Sequence, residues 1–309
     1  MKKWILFLVA ALMVVLTACG NEDSASNEPA KEKDDKKASD TITYEAESGP
    51  IKVPSDPQRV VVLSGYVGDM LELGVNVVGM DSWSFDHPDF AKKYPDAEVV
   101  ESTDFEKILE LNPDLIIGST DIEDAEKLQE IAPTVLYTYD AIDYNEQRIE
   151  IGKVVNKEKE MRAWVKDFQT RAKELGKKIK AKIGEDATVT IAGNSDKQIY
   201  LFGDSWGRGT EIIYQEMGLK MPKAVKDVVK PGYFGISEEV LGDYVGDYFV
   251  LNLLKEGQDT SFLKTDWYND IPAVKNKHVF YAEGSSFIFA DAYSFDYQLD
   301  FFEKSFLGN

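Results

Sequence analysis

The segment Gly203-Asp204-Ser205-Trp206-Gly207 fits the pattern G-x-S-x-G and lies between an apolar strand pattern and a helical one. In that setting a nucleophilic serine can stand at a sharp strand-to-helix turn. A hydrolase built on Ser205 would take His278 as base and Asp243 or Asp247 as the orienting acid, in the chain order Ser, Asp, His. Against it, His278 is the sole histidine downstream and no glycine-rich oxyanion loop follows an early strand. Gly207-Arg208-Gly209 also opens the turn unusually far. The same turn reads as a binding site. Glycines on both sides of Arg208 let the backbone approach a ligand, Trp206 offers a flat wall with an N–H donor, and Arg208 offers five fixed donors to oxygen-rich acceptors. The plainer alternative is a core Trp206 and an Arg208 in a surface salt bridge.

These residues need elements to position them. From Asn156 to Gly184, Met161, Trp164, Val165, Phe168, Ala172, Leu175, Ile179 and Ile183 recur at helical spacing. Lysine-rich last turns and Gly184 end the segment. Such a helix is about 40 Å long, the width of a domain. Before it, short apolar strands at 59–64, 76–79, 114–118 and 134–138 alternate with helices at 65–73, 104–111 and 121–131, and an alternating strand opens at Thr41. The segment Asp81–Pro88 reads as a loop carrying two exposed aromatics, Trp83 and Phe85. After it, strands at 187–193, 198–202, 247–252 and 277–281 and helices at 210–217 and 294–306 follow. The expectation is α/β: an N-terminal lobe over 41–155, a rigid connecting helix over 156–184 and a C-terminal lobe over 185–309, with parallel sheets covered by helices.

The chain has 309 residues and a net charge of −20, which argues against a nucleic-acid partner. One cysteine and two histidines exclude a disulfide framework, zinc clusters and iron–sulfur centres. Lys2 and Lys3 precede an apolar core from Trp4 to Val15, too short to span as a mature helix. Leu16-Thr17-Ala18-Cys19 then resembles the bacterial lipobox. The leader is therefore expected to be 1–18, with lipid attached to Cys19 at the outer face of the cytoplasmic membrane. Residues 19–40, polar and without aromatic side chains, read as a flexible tether.

Tyr200 to Lys220 (YLFGDSWGRGTEIIYQEMGLK) resembles the iron(III)-hydroxamate-siderophore-binding lipoproteins of Gram-positive ABC importers. So do Pro57–Val62, Phe105–Leu109, Pro113–Ile117, Ile131–Thr134, Gly246–Tyr248 and Trp267–Val274, in order along the mature chain. The resemblance implies a class III substrate-binding protein: two α/β lobes joined by one long helix, a monomer that closes little and does no chemistry. It places the siderophore on Trp206, Arg208 and Tyr200, and on Phe287 in an aromatic contact loop one residue longer than in some relatives. On lobe one, Gly118-Ser119-Thr120 stands where the family has an aromatic, so Tyr66, Trp83 and Phe85, on sheet-edge loops, are the candidates there. It also implies that Glu106 and Glu239, with Glu238 as near rival, dock arginines of the permease.

A ferric tris-hydroxamate has a neutral core, whereas a ferric tris-catecholate is trianionic and would call for a basic cluster. Of Arg59, Arg148, Arg162, Arg171 and Arg208, only Arg208 reads clearly as a pocket residue, which favours the hydroxamate, a lysine contribution staying open. Haem is the rival ligand and would need an axial residue such as His87, although a turn-capping role before Pro88 competes. No cofactor is expected on the protein itself. Fe(III) arrives within its siderophore.

Overall fold

The lysine-studded segment is a 26-residue helix, Glu158–Ile183, in the computed structural model, which describes residues 40–195, 198–230, 232–253 and 259–308. The leader, Cys19 and the tether up to residue 39 lie outside the described residues. The stripe from Met161 to Ile179 is buried along this connecting helix, Ile183 is half-buried, and Gly184 ends it at φ 104°. Gly176 is buried too, because any Cβ there would lie 2.5 Å from the Met217 carbonyl oxygen.

An antiparallel hairpin, β1 (Thr41–Ala46) and β2 (Gly49–Pro54), opens the described chain. The first sheet has the order β5-β4-β3-β6-β7, built from β3 (Val60–Val62), β4 (Val77–Met80), β5 (Glu98–Val99), β6 (Leu115–Ser119) and β7 (Thr134–Tyr137). All its pairings are parallel, as alternating strands and helices require. The second sheet has the order β10-β9-β8-β11-β12, from β8 (Val189–Ser195), β9 (Gln198–Phe202), β10 (Tyr233–Ser237), β11 (Tyr248–Leu253) and β12 (Val279–Glu283).

Only half of that sheet follows the expected parallel pattern. Strands β8, β11 and β12 are parallel, but β9 is antiparallel to both β8 and β10. The connection from β8 to β9 is far too short for a parallel crossover, which forces a hairpin. Other elements also depart from the expectation. Asp81 accepts the Ser84 N–H at 2.8 Å and turns Ser82–Phe85 into a short helix within the expected loop. The helix expected over 210–217 is a π-helical turn, Glu211–Glu216, with Met217 N donating to Ile212 O at 2.8 Å. A helix at Tyr144–Val154 had no sequence signal because its buried face includes Asn145, Gln147 and Arg148.

Strand alternation sorts the apolar residues into layers. Val60 and Val62 of β3, Leu115 and Ile117 of β6, Val189 and Ile191 of β8 and Val250 of β11 all belong to one central core, with Phe168 of the connecting helix. Their neighbours point the other way, Val61 and Ile116 into a cluster outside the first sheet and Ala192, Phe249 and Leu251 into one outside the second. The two sheets thus share a core across the connecting helix. The closing helix, Ala292–Leu307, completes it, with Phe295 stacked 5.3 Å from Phe168. Its first residues also meet the Val67–Glu72 helix: Ala292 N donates to Asp69 Oδ1 at 2.9 Å, and Arg148 pairs with Asp69 Oδ2 at 2.9 Å.

Candidate ligand-binding cleft

Between the sheets lies a cavity of about 640 Å³, within the usual range for small-molecule sites. Tyr66, in the turn after β3, and Tyr139, two residues after β7, border it from the first lobe. These are ends of parallel strands, where α/β sheets bind ligands. The turn Ser205–Arg208 after β9, together with Ile288 and Phe289, borders it from the second lobe.

Arg208 is held in an uncommon conformation. Its φ is 61°, between Gly207 at 65° and Gly209 at 83°. A side chain at Gly207 would meet the Ile288 carbonyl oxygen at 2.6 Å, and one at Gly209 the Phe302 ring at 2.6 Å. Three successive left-handed residues curl the turn so tightly that its flanks must be glycine. Thr210 Oγ1 accepts the Trp206 N–H at 3.1 Å and donates to the Gly207 carbonyl at 2.8 Å. The buried Glu211 carboxylate accepts the Gly207 N–H at 2.8 Å, and burial holds its pKa up. Arg208 Nη1 donates to the Trp206 carbonyl at 2.9 Å, and its guanidinium lies 4.8 Å over Phe202. Its Nε is buried with no hydrogen-bond partner, and burial presses its pKa down. A guanidinium held on a cavity wall is suited to an oxygen-rich ligand.

Trp206 is half-buried, edge-on to Tyr139 at 5.4 Å and 4.9 Å from Tyr233. The Tyr139 hydroxyl donates to the Ser205 carbonyl at 3.3 Å, so an aromatic pair bridges the lobes across one rim of the cavity. Tyr66 is almost wholly buried, edge-on to Tyr137 at 5.5 Å, and burial raises its hydroxyl to about 12.

The residues singled out from the sequence therefore part company. Trp206, Arg208 and Tyr66 border the cavity. Tyr200 does not; it lies 6.0 Å from Tyr233, itself a neighbour of Trp206, with its hydroxyl donating to Gln198. Trp83 borders a neighbouring chamber, and Phe85 borders neither. Phe287 requires a correction. The turn Gly284–Phe287 is helical and aims this ring inward, 4.9 Å from Phe301 and fully buried, so the cavity receives Phe289 instead. Tyr139 was missed; its position directly after an apolar strand was the available signal. Glu106, on the Phe105–Glu110 helix, and Glu239, in the Glu238–Asp243 turn, are both exposed, one on each lobe.

The hydrolase constellation does not assemble. His278 is stacked on Tyr248 at 4.3 Å with Nδ1 3.1 Å from the Asp247 carbonyl, and Thr188 holds the Asp247 carboxylate. His278 borders neither chamber that Ser205 borders. His87 is no better placed to ligate haem. It is buried and stacked on Phe90 at 3.9 Å, its Nδ1 accepts the Asp89 N–H, and burial lowers its pKa to about 4.

Comparison with known proteins places this geometry. The sequence profile of the periplasmic binding protein family matches residues 60–285. The iron(3+)-hydroxamate-binding protein FhuD of Bacillus subtilis (strain 168) is 38% identical over 97% of this chain and 96% of its own. Among solved structures, the FhuD protein of S. pseudintermedius superposes with a TM-score of 0.78 at 34% identity, over 88% of this chain and 99% of that one. FhuD2 of Staphylococcus aureus with bound ferrioxamine B gives 0.76 at 32%, over 82% and 99%.

Proposed function

This chain belongs to the periplasmic binding protein family, and we propose from that premise that it captures ferric hydroxamate siderophores and hands them to an ABC permease. It performs no catalysis. The observation that carries the reading is the Arg208 turn: a guanidinium fixed between two glycines on the cavity wall, beside the Trp206–Tyr139 pair. Hydroxamate oxygens are the acceptors such a donor wants, and the neutral ferric core asks for a single cation with aromatic walls. Arg148 also borders the cavity but is already paired with Asp69, which leaves a trianionic catecholate complex poorly matched.

Trp206, Arg208, Tyr139, Tyr66 and Phe289 line the siderophore site in this reading, with Tyr200 supporting Trp206 through Tyr233. Fe(III) keeps its siderophore oxygens as ligands, so it travels as cargo. Cys19 carries the lipid that holds a monomeric receptor to the outer face of the cytoplasmic membrane. Glu106 and Glu239, exposed on separate lobes, contact the permease.

The test is a tryptophan-fluorescence titration of the protein from residue 20 onward with ferrichrome, ferrioxamine B, a ferric catecholate and haem. Saturable quenching by the hydroxamates, absent with haem, is the expected result. Arg208→Ala should weaken hydroxamate binding by about 1–3 kcal/mol, the loss of a charged hydrogen bond. Unchanged affinity in that variant would remove Arg208 from the site.

A further inference from the structure

Beside the cavity lies a second chamber of about 960 Å³, and Arg208 and Ile288 border both. Two aromatic side chains face it from opposite lobes. Trp83 is 60% exposed on the turn capped by Asp81, and Tyr281 of β12 is 48% exposed. The two rings give opposite walls of one cleft a π face each to offer a ligand. Asp86 and Glu283 border the same chamber, both exposed, and neither forms an ion pair among the described residues. Arg208 is anchored by its bond to the Trp206 carbonyl and its place over Phe202. Two carboxylates against one guanidinium leave the chamber net negative. Aromatic faces combined with unpaired carboxylates are the chemistry that recognises an organic ammonium ion.

We propose that this second chamber is a subsite for a protonated amine on the chain end of a linear ferric tris-hydroxamate, whose iron core fills the first cavity. The inference rests on the hydroxamate reading of that first cavity. It assigns the chamber a part in specificity. A cyclic, uncharged hydroxamate occupies the first cavity alone, while a linear one with a terminal ammonium passes Arg208 and Ile288 and adds a contact with Trp83, Tyr281, Asp86 and Glu283. The net charge of −20 further favours approach of a cationic complex at low salt.

Ferrioxamine B ends in a primary ammonium, which N-acetylation replaces with a neutral amide while leaving the ferric tris-hydroxamate core unchanged. Titrated against the wild-type protein at low ionic strength, the ammonium form should bind about 3- to 10-fold more tightly, an advantage that shrinks with added salt. In the exposed, isosteric double variant Asp86→Asn/Glu283→Gln the ratio of the two affinities should fall to about one, and Trp83→Leu should lower it as well. Binding of the N-acetyl form reports in each variant that the first cavity is intact. Equal wild-type affinities overturn the proposal. So does a preference that survives in the double variant, since the ammonium then sits elsewhere. If neither form binds the wild-type protein, the hydroxamate reading itself fails and this inference falls with it.

Discussion

Arg208 occupies a backbone position that its residue type visits seldom, at φ 61°. The strain is held by neighbours that cannot be anything larger than glycine, and a donor fixed in this way loses little freedom when it meets a ligand. Tyr139 and Phe287 are the instructive pair beside it. Tyr139 reaches the ligand cavity with a ring 60% exposed, whereas Phe287 is fully enclosed among Tyr297, Phe301 and Phe302. Their truncations should therefore separate. Tyr139→Ala should weaken siderophore binding while leaving the thermal midpoint nearly unchanged. Phe287→Ala should cost about 3–5 kcal/mol of stability, as large core deletions do. Paired melts and titrations check this; the opposite pattern would restore Phe287 to the site.

At the scale of elements, the connecting helix is fixed by close approach as much as by its apolar stripe. Gly176→Ala in an exposed helix would gain about 1 kcal/mol of stability. Here its Cβ would stand 2.5 Å from the backbone of Met217, beside the π-helical turn Glu211–Glu216. The substitution should instead destabilise by about 1–3 kcal/mol, the usual cost of overpacking, and chemical denaturation measures which sign holds.

The junction of the closing helix with the Val67–Glu72 helix has its own signature. Asp69, Arg148 and Asp291 are all buried there, and Asp291 lies so near Gly68 that no other residue fits. Arg148 pairs with Asp69, and its charge also reaches the Asp291 carboxyl. Burial drives both carboxyls upward, Asp69 to about 7, with Arg148 opposing the shift in each. Because the folded state holds a proton that the unfolded chain releases near the ordinary carboxylate range, this junction's contribution is full at low pH and declines as pH rises through neutrality. Thermal melts at about pH 6 and about pH 8 should show that loss in the wild-type protein and a smaller one in Asp291→Asn, whose amide oxygen can still accept the Ser294 N–H. An equal loss in both would show that the junction does not titrate.

Across the whole molecule, the central core passes from one sheet through the connecting helix to the other. Lobes that share buried side chains cannot swing apart freely, since opening them exposes that core to water. A receptor built so is expected to present nearly the same outer surface with and without its ligand, and any permease must recognise fixed points on it. Glu106 and Glu239, exposed on different lobes, are proposed as those points. The double variant Glu106→Ala/Glu239→Ala should bind siderophore as tightly as the wild type yet fail to support iron uptake in cells lacking the wild-type receptor. Undiminished uptake would remove both residues from the docking surface.

The amino-acid sequence by itself determined the connecting helix, because a three-and-four spacing of apolar residues can bury only one way. It determined the parallel first sheet, whose unbroken apolar strands need cover on both faces. The Trp206–Arg208 turn was legible as well, since glycines on both sides of an arginine report a backbone that curls. What tertiary structure decided lies where neighbours distant in sequence set the outcome. The second sheet became mixed because the short β8–β9 connection closes a hairpin. The Tyr144–Val154 helix hides polar residues on its buried face because Asp69 waits there for Arg148. Phe287 went into the core and Phe289 to the cavity because one helical turn set which ring points inward. Tyr139 gained its place only when β7 brought it opposite Trp206, a meeting of residues from two lobes that local spacing cannot encode.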